Sequence, residues 1–360
     1  MKTNIYVIYG GKSVEHDVSL SSAFSVINSL DKNKYNIYLV YITKSGVWCD
    51  LGRLKTNLKD IEQLQSSSSA TVTSSLGDFL SKNFKKNEKS IVFPVLHGTY
   101  GEDGTIQGLF EMLNIPYVGN GVLSSAAGID KVVMKDIFSL GNIPQAKYTS
   151  TKLHSWKTDE EQVYKQVEDL IGYPCFVKPA KLGSSVGINR CGNRDQLKEA
   201  IKEAFLYDSK IIIEEELIGR EMQIAVIGND CPKASVVGEY IQERQFMDYA
   251  AKYVDGKLVP IIPARLSTEI SEVMRETAIQ AFKLINCCGL VRVDYFVTDE
   301  NKFYVNEVNT LPGFTAYSMF PALWEKTDGT TYAELIEILI KLGFCMHKQK
   351  NSILSMRWEK

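Results

Sequence analysis

The sequence has few of the features that mark a disulfide-rich, zinc-binding or membrane-spanning protein. Its seven cysteines contain no Cys-x-x-Cys pair, and its four histidines are widely separated. Scattered thiols are typical of a reduced compartment rather than of a disulfide framework or a zinc site. No apolar run approaches the roughly 18–20 residues that a membrane-spanning helix needs, and the first one is too short for the core of a signal peptide. We therefore expect a cytoplasmic protein that does not act at a membrane.

An excess of basic residues is also lacking. The chain has 360 residues with a formal net charge of −2, and 44% of them are hydrophobic. Binding to a phosphate backbone requires clustered Lys and Arg, so we expect no nucleic-acid partner. The length is sufficient for two or three small domains.

The first third of the chain alternates strand-like and helix-like segments. NIYVIYGG, YNIYLVYIT, SIVFPVLHG and IPYVG are strand-like, whereas DVSLSSAFSVINSL and DGTIQGLFEML have helical spacing. This alternation predicts βαβ units and a mainly parallel sheet, with polar groups at the carboxyl ends of its strands. The low-complexity polar stretch between them predicts a surface loop at residues 62–75.

The pattern changes from about residue 124. KVVMKDIFSL predicts a helix that stops at Gly141, and YPCFVKP and VGINRC predict strands on either side of a glycine-serine loop. Asn193, three residues before Gln196, predicts a capped helix start. Further strands are predicted at KIIIEEEL and EMQIAVIG, and helices at TEISEVMRETAIQAFKLI and near residues 331–343. The last residues predict a loosely held tail.

Residues 291–314 predict a β-hairpin that carries polar groups inside apolar runs. Alternate residues of a strand share a face, so Arg292 and Asp294 are predicted to point the same way. In the second arm the same rule predicts a shared face for four residues, namely Phe303, Val305, Glu307 and Asn309. The acids and the amide oxygen would suit Mg²⁺ if the two faces converge. The alternative is an antiparallel strand with one solvated face.

Two segments suit a nucleotide. The loop in KPAKLGSSVGI exposes backbone N–H groups and hydroxyls that suit oxyanions, although it is not a Walker loop and could be a flexible turn. Lys178, at the end of the preceding strand, is either a counter-charge for phosphate or a surface lysine. The acids of IIIEEELIG could hold ribose hydroxyls, or the strand could simply run out into solvent.

Two residues of the N-terminal part could bind a small substrate. Glu15 stands just before a helix, where it could receive an ammonium group or serve only as an acid favoured by the helix dipole. His97 ends a strand of the predicted parallel sheet, which is where such sheets carry their sites. A lone histidine is otherwise most often structural.

Taken together, these segments resemble the D-alanine–D-alanine ligases of the ATP-grasp superfamily. The matching motifs occur in order over nearly the whole chain: YGGKSVEHDVSL, HGTYGEDGTIQGLFE, VKPAKLGSSVGI, MDYAAKY, RVDYF and NEVNTLPGFTAYSMFP. The resemblance implies an α/β, three-domain ATP-grasp fold, in which an N-terminal parallel-sheet domain accompanies two α+β domains that clamp ATP. The implied ranges are 1–122, 123–215 and 216–348, with a tail at 349–360.

The resemblance also implies roles for single residues. ATP phosphates would be bound by Lys131, Lys178 and Lys252, and the adenosine by Glu214, Glu215, Glu216, Leu217 and Glu221. Two Mg²⁺ ions, which Mn²⁺ can replace, would be held by Asp294, Glu307 and Asn309. The first D-alanine would meet Glu15, linked to Ser184 and Tyr253, and His97. Arg292 and the N–H of Gly313 would stabilise the oxyanion, and Ser318 and Met319 would form the second D-alanine subsite.

The implied reaction is ATP-dependent synthesis of D-alanyl-D-alanine for peptidoglycan, through a D-alanyl phosphate. A lid that excludes water is expected, and residues 243–257 are its candidate. Tyr253 and Met319 favour D-alanine over D-lactate as the second substrate, while D-serine stays open. A non-catalytic nucleotide-binding protein is the alternative from another class. The resemblance further implies a homodimer.

Overall fold

The N-terminal part is built on a four-stranded sheet. The computed structural model describes residues 2–84, 88–184, 186–241 and 259–358. The first sheet has the order β3-β2-β1-β4 and consists of β1 (Thr3–Gly10), β2 (Tyr35–Ile42), β3 (Trp48–Arg53) and β4 (Ser90–Val95). Its helices are α1 (His16–Ser29), α2 (Val72–Lys82) and α3 (Thr105–Met112). Strand β1 pairs in parallel with β2 and β4, as the alternation predicted.

Two predictions for this part were wrong in detail. IPYVG forms only a single parallel bridge, between Val92 and Tyr117, rather than a strand. The predicted loop at residues 62–75 contains a short 3₁₀ turn, Ile61–Leu64, and the start of α2. The Thr71 side chain accepts a hydrogen bond from the N–H of Ser74 and so caps α2. Apolar residues that follow the polar run anchor the helix, since Phe79 is buried.

The central sheet is antiparallel, with the order β5-β8-β6-β7. Its strands are β5 (Tyr148–Lys152), β6 (Cys175–Pro179), β7 (Asn189–Cys191) and β8 (Lys210–Glu215). The helices of this region are α4 (Val122–Ile129), α5 (Lys131–Leu140), α6 (Leu153–Thr158), α7 (Glu160–Leu170) and α8 (Arg194–Ala204). The predicted cap is confirmed, because Asn193 accepts from the N–H of Gln196 at 3.0 Å. Helix α5 ends at Leu140, before Gly141, as predicted.

The third sheet is the largest, and it contains the hairpin. Its order is β12-β11-β9-β13-β14, with β10 paired to β9. The strands are β9 (Arg220–Gly228), β10 (Lys233–Ala234), β11 (Gly238–Ile241), β12 (Val259–Ile261), β13 (Gly289–Val297) and β14 (Phe303–Asn309). The helices are α9 (Thr268–Leu284), α10 (Met319–Asp328) and α11 (Tyr332–Trp358).

The hairpin forms as predicted, but its second arm contains an irregularity. Asp294 pairs with Glu307 and Tyr295 pairs with Val305, so Asn306 is an extra residue on β14. Such a bulge reverses the alternation of faces on one side of it. Val305 therefore points into the core, where it is 1% exposed, and the predicted shared face of Phe303 and Val305 with Glu307 and Asn309 is wrong.

The last helix extends into the range predicted as a tail. Helix α11 continues to Trp358, and its Lys350 forms an ion pair with Glu111 of α3. Leu335 and Leu339 of the same helix are fully buried in one core with Ile5 of β1. The first half of this helix is therefore packed on the N-terminal sheet, and Lys350 joins it to α3. No helix in the described part of the chain has the length and apolar character needed to cross a membrane.

Candidate active site

A cavity of about 540 Å³ is lined by residues from all three sheet regions. Ten residues that the sequence singled out line it: Glu15, His97, Lys131, Ser184, Arg292, Glu307, Asn309, Gly313, Ser318 and Met319. These residues lie up to about 300 positions apart in the chain, and the fold brings them together around one cavity. Two other predicted residues, Lys252 and Tyr253, lie outside the described residues, as does the predicted lid at 243–257.

The glycine-serine loop meets the start of α1 at the cavity wall. The Ser184 hydroxyl donates a hydrogen bond to the Glu15 carboxylate. Ser184 has a positive φ of 56°, which is unusual for a residue with a side chain, and it lies directly after Gly183. Gly98 has a φ of +73°, which favours glycine, and a Cβ there would lie 2.5 Å from Glu15 Oε2, so the backbone passes close to this carboxylate. The carboxylate is thus held in place with one oxygen bonded to Ser184.

His97 is buried just after the carboxyl end of β4, where the parallel-sheet argument placed it. Its Nδ1 lies 3.0 Å from the carbonyl oxygen of Leu311 and its Nε2 lies 3.0 Å from Ser22 Oγ. Because a carbonyl can only accept, Nδ1 donates to Leu311. Burial by itself would lower the pKa of His97, but Glu102, whose Oε1 is 3.5 Å from Nδ1, and nearby Glu15 together raise the pKa above its usual value.

A buried cluster of two lysines and one glutamate lies beside the cavity. Glu214 Oε2 is 2.5 Å from Lys178 Nζ, and Glu214 Oε1 is 2.8 Å from Lys135 Nζ. Burial of Glu214 would raise its pKa, but the two ammonium groups lower the pKa to about 2. The structure therefore excludes one of the two interpretations offered for Lys178, because this lysine does not lie on the surface. It also excludes a solvent-exposed position for Glu214.

The hairpin presents Arg292, Glu307 and Asn309 at the cavity, and Asp294 lies directly behind Arg292. Arg292 donates through Nε and Nη2 to both oxygens of Asp294, at 2.6 and 2.7 Å. Asn309 Nδ2 lies 3.1 Å from Asp294 Oδ2. Glu307, opposite Asp294 in the strand pair, is 3.6 Å from Lys131 Nζ, which also donates to the carbonyl of Leu182 at 2.9 Å.

A turn before α10 closes the other end of the cavity. Ser318 Oγ accepts a hydrogen bond from the N–H of Thr315 at 3.0 Å and lies 2.8 Å from its hydroxyl. Gly313 lies close by, since a Cβ built there would be 3.6 Å from Ser318 Oγ. Met319, which is 3% exposed, places an apolar wall next to these polar groups.

The remaining predicted nucleotide residues do not line this cavity. Glu216 pairs with Arg190 at 2.6 Å, and Glu215 accepts from the N–H of Lys147 at 2.8 Å. Glu215 ends β8, with Glu216 and Leu217 following it, and Glu221 lies on β9. Asp294 likewise is not part of the lining, because its carboxylate is turned toward Arg292.

Sequence reasoning missed several residues near the site. Lys135 is buried in an ion pair with Glu214, and Glu102, Gln223 and Tyr240 line the cavity. The spacing of Lys135, four residues after Lys131 in a predicted helix, was a usable signal, because such residues share a helix face. Nothing in the sequence alone distinguishes Gln223 or Tyr240 from ordinary strand residues.

Comparison with known proteins gives a consistent result along the chain. Residues 4–120 match the family model "D-ala D-ala ligase N-terminus", and residues 137–341 match "D-ala D-ala ligase C-terminus". The D-alanine–D-alanine ligase of Geobacillus thermodenitrificans is 51% identical over 359 residues, which cover 98% of each chain.

Two solved structures are also similar to this chain. The D-alanine–D-alanine ligase from Coxiella burnetii has a TM-score of 0.81 and 33% identity, with coverage of 99% of this chain and 97% of that one. The VanG D-Ala:D-Ser ligase from Enterococcus faecalis has a TM-score of 0.79 and 34% identity, with coverage of 95% and 100%.

Proposed function

This chain belongs to the D-alanine–D-alanine ligase family, and from that premise we propose how its own residues carry out the ligation. It is an ATP-dependent ligase that joins two D-alanines for peptidoglycan synthesis. The observation that carries this function is the single cavity in which a held carboxylate, a guanidinium, a lysine and a serine-bearing turn meet. The carboxylate can bind an ammonium group and the guanidinium can stabilise an oxyanion. The lysine can bind a phosphate, and the serine-bearing turn can bind a substrate carboxylate.

The first D-alanine binds with its ammonium at Glu15. Ser184 occupies one oxygen of that carboxylate and leaves the other for the substrate. The buried imidazole of His97, whose pKa is raised by Glu102 and Glu15, lies at the cavity wall and is proposed to meet the substrate carboxylate. Holding both ends of the amino acid fixes the carboxylate that ATP phosphorylates.

ATP is bound beside this subsite with its phosphates toward Lys131 and Lys178. A carboxylate is a poor acylating agent, so phosphorylation must come first, and phosphoryl transfer depends mainly on positioning and on neutralising charge. Glu215, Glu216, Leu217 and Glu221 extend from the end of β8 to β9 and are proposed to contact the adenosine. Lys252 and Tyr253 are proposed to act from the segment 243–257, which lies outside the described residues.

The hairpin residues fit Mg²⁺, which Mn²⁺ can replace, although no group of three or more His, Cys, Asp or Glu side chains suited to a metal occurs in the described ranges. Asp294 and Glu307 are paired across β13 and β14, and Asn309 lies opposite Arg292 on the same strand pair, so the three residues can offer two carboxylates and an amide oxygen. Mg²⁺ needs only one or two protein carboxylates when phosphate oxygens complete its shell. Two ions held there would neutralise charge on the transferring phosphate.

The amine of the second D-alanine attacks the carbonyl carbon of the D-alanyl phosphate, so that the C–N bond of the dipeptide forms and the C–O bond to the departing inorganic phosphate breaks. Arg292 and the N–H of Gly313 are proposed to stabilise the negative oxygen of the tetrahedral intermediate. Ser318 would hold the carboxylate of this second amino acid, and Met319 would contact its methyl group. The apolar side chain of Met319 favours D-alanine over D-lactate as the second substrate, and D-serine is the alternative that the phosphate-release assay separates.

Phosphate release tests this function. Protein with D-alanine, ATP and Mg²⁺ is expected to release phosphate and form the dipeptide, with less product from D-serine or D-lactate as the second substrate. Release only when D-serine or D-lactate is added would contradict the assignment. Nucleotide binding without turnover on any D-amino acid would instead support a non-catalytic protein.

Three broader features are part of the same proposal. Residues 1–122, 123–215 and 216–348 are proposed as the three domains, and the three sheets lie within these ranges in the described part of the chain. The protein is proposed to act in the cytoplasm as a homodimer. Light scattering coupled to gel filtration would test the dimer, and a mass of about 40 kDa would contradict it.

A further inference from the structure

We propose that Lys135 is a positioning residue for nucleotide phosphates, acting through Glu214 on Lys178 without itself touching the substrate. This inference rests on the proposed function, because it requires Lys178 to face ATP phosphates. Neither Lys135 nor Lys178 lines the cavity, but the Lys178 side chain is 13% exposed, whereas that of Lys135 is 2% exposed. Because the Lys135 side chain is buried so deeply, any effect of Lys135 on a ligand must pass through a neighbouring residue.

The geometry gives that neighbour. Helix α5 places Lys131 and Lys135 one turn apart on the same face, so Lys131 reaches the cavity while Lys135 lies one turn further along the helix. The Lys135 ammonium is 2.8 Å from Glu214 Oε1, and the Lys178 ammonium is 2.5 Å from Glu214 Oε2. Each lysine thus occupies a different oxygen of one carboxylate, which is itself 3% exposed.

The charge count explains why a second lysine matters. Lys178 and Glu214 alone would form a neutral pair, and both oxygens of Glu214 could then hold the Lys178 ammonium. With Lys135 present, the buried cluster carries one net positive charge, and Glu214 shares its attraction between two partners. In a site shielded from water such a charge acts strongly on a nearby anion. Lys135 thereby leaves the charge of Lys178 available to phosphate.

The partners of Lys135 agree with an electrostatic role. Within the described ranges its Nζ forms an ion pair with Glu214 and lies 5.6 Å from the centre of the Tyr148 ring. A lysine kept only for packing would not need a buried charge, which is costly to desolvate. The desolvation cost of the Lys135 ammonium is offset if its charge strengthens phosphate binding at Lys178.

A comparison of ADP with adenosine tests this inference, because only ADP carries phosphates. In the full-length protein, Lys135→Met is expected to weaken ADP binding roughly tenfold, measured by calorimetry, and to change adenosine binding less than about twofold. The ATP KM should rise by a similar factor while the D-alanine KM stays nearly constant. Lys135→Arg, which keeps the charge, should restore part of the ADP affinity.

Lys210→Met is the matched control. Lys210 lies on the same strand as Glu214, and its Nζ forms a partly buried ion pair with Asp130 Oδ2 at 2.6 Å. Its replacement should lower the melting temperature without changing the ratio of ADP to adenosine affinity. If Lys135→Met does not unfold cooperatively, Lys135→Gln is measured by the same criteria.

The outcomes separate this inference from the proposed function. Equal losses for ADP and adenosine, or no loss for either, in an enzyme whose wild type is active would overturn the role of Lys135 alone. Absence of phosphate release by the wild-type protein with D-alanine, ATP and Mg²⁺ would overturn the proposed function itself.

Discussion

The buried carboxylate of Glu214 forms ion pairs with two ammonium groups, those of Lys135 and Lys178. Its ionisation is therefore coupled to folding. Its pKa is lowered from 4.5 to about 2 in the folded state. A carboxyl whose pKa is depressed on folding contributes stability above its unfolded pKa and loses that contribution as the pH falls toward the folded value. The relevant window therefore lies between about pH 4.5 and pH 2.

The first prediction uses this window. The difference in free energy of unfolding between the wild type and Glu214→Gln should shrink as the pH falls from 6 to 3, by part of the about 3 kcal/mol that the whole shift represents. Urea unfolding at several pH values measures it. Glu300→Gln, at an exposed acid paired with Lys302, is the control. A difference that stays constant with pH would contradict the coupling of Glu214 to its lysines.

Arg292 gives a second prediction at the residue scale. Its guanidinium binds both oxygens of Asp294, and a lysine cannot reproduce that planar, two-pronged contact. Arg292→Lys should lower kcat roughly 100-fold, the loss typical of a missing oxyanion donor, with a smaller change in the ATP KM. Steady-state kinetics measure both. Arg275→Lys, where the arginine donates to the carbonyls of Ala234 and Ser235, should affect stability but not kcat.

Secondary-structure elements show where sequence patterns succeed and where they fail. Strand alternation correctly predicted that Arg292 and Asp294 share a face. It failed for Val305, because an extra residue at Asn306 reverses the faces and leaves no mark in a pattern of period two. The polar run at residues 62–75 was predicted as a loop, although α2 begins within it. The only local signal for this helix start is one capping threonine, because the buried apolar residue that holds the helix comes later in the chain.

The start of α2 gives the element-scale prediction. Thr71 accepts from the N–H of Ser74 at 3.2 Å, so Thr71→Ala should destabilise the protein by about 1 kcal/mol through the lost cap. Thermal unfolding measures the effect. Ser67→Ala, at an exposed position of the same polar run outside regular structure, should change stability very little. Equal effects of the two substitutions would show that the cap contributes nothing.

The contacts between segments that lie far apart in the chain were the part of the structure that the sequence predicted least well. The patterns predicted most strands and helices, and the motifs indicated which residues belong to one site. The contact of Ser184 with Glu15 joins positions 169 residues apart, and nothing local in either segment encodes it. Only the resemblance implied that the sheets clamp one cavity. The last helix shows the same limit, because its buried face is complementary to a sheet formed at the other end of the chain.

The docking of that helix gives the prediction for the whole molecule. A Cβ at Gly343 would lie 2.5 Å from the carbonyl oxygen of Tyr117, so Gly343→Ala should destabilise the protein by about 1–3 kcal/mol despite the better helix propensity of alanine. Gly77, in α2, has nothing within 4 Å, so Gly77→Ala should instead stabilise by about 0.5–1 kcal/mol. Because both changes add the same methyl group to a helix, opposite shifts in melting temperature would isolate the close approach of α11 to the N-terminal part. Stabilisation by both would mean that this helix does not pack there.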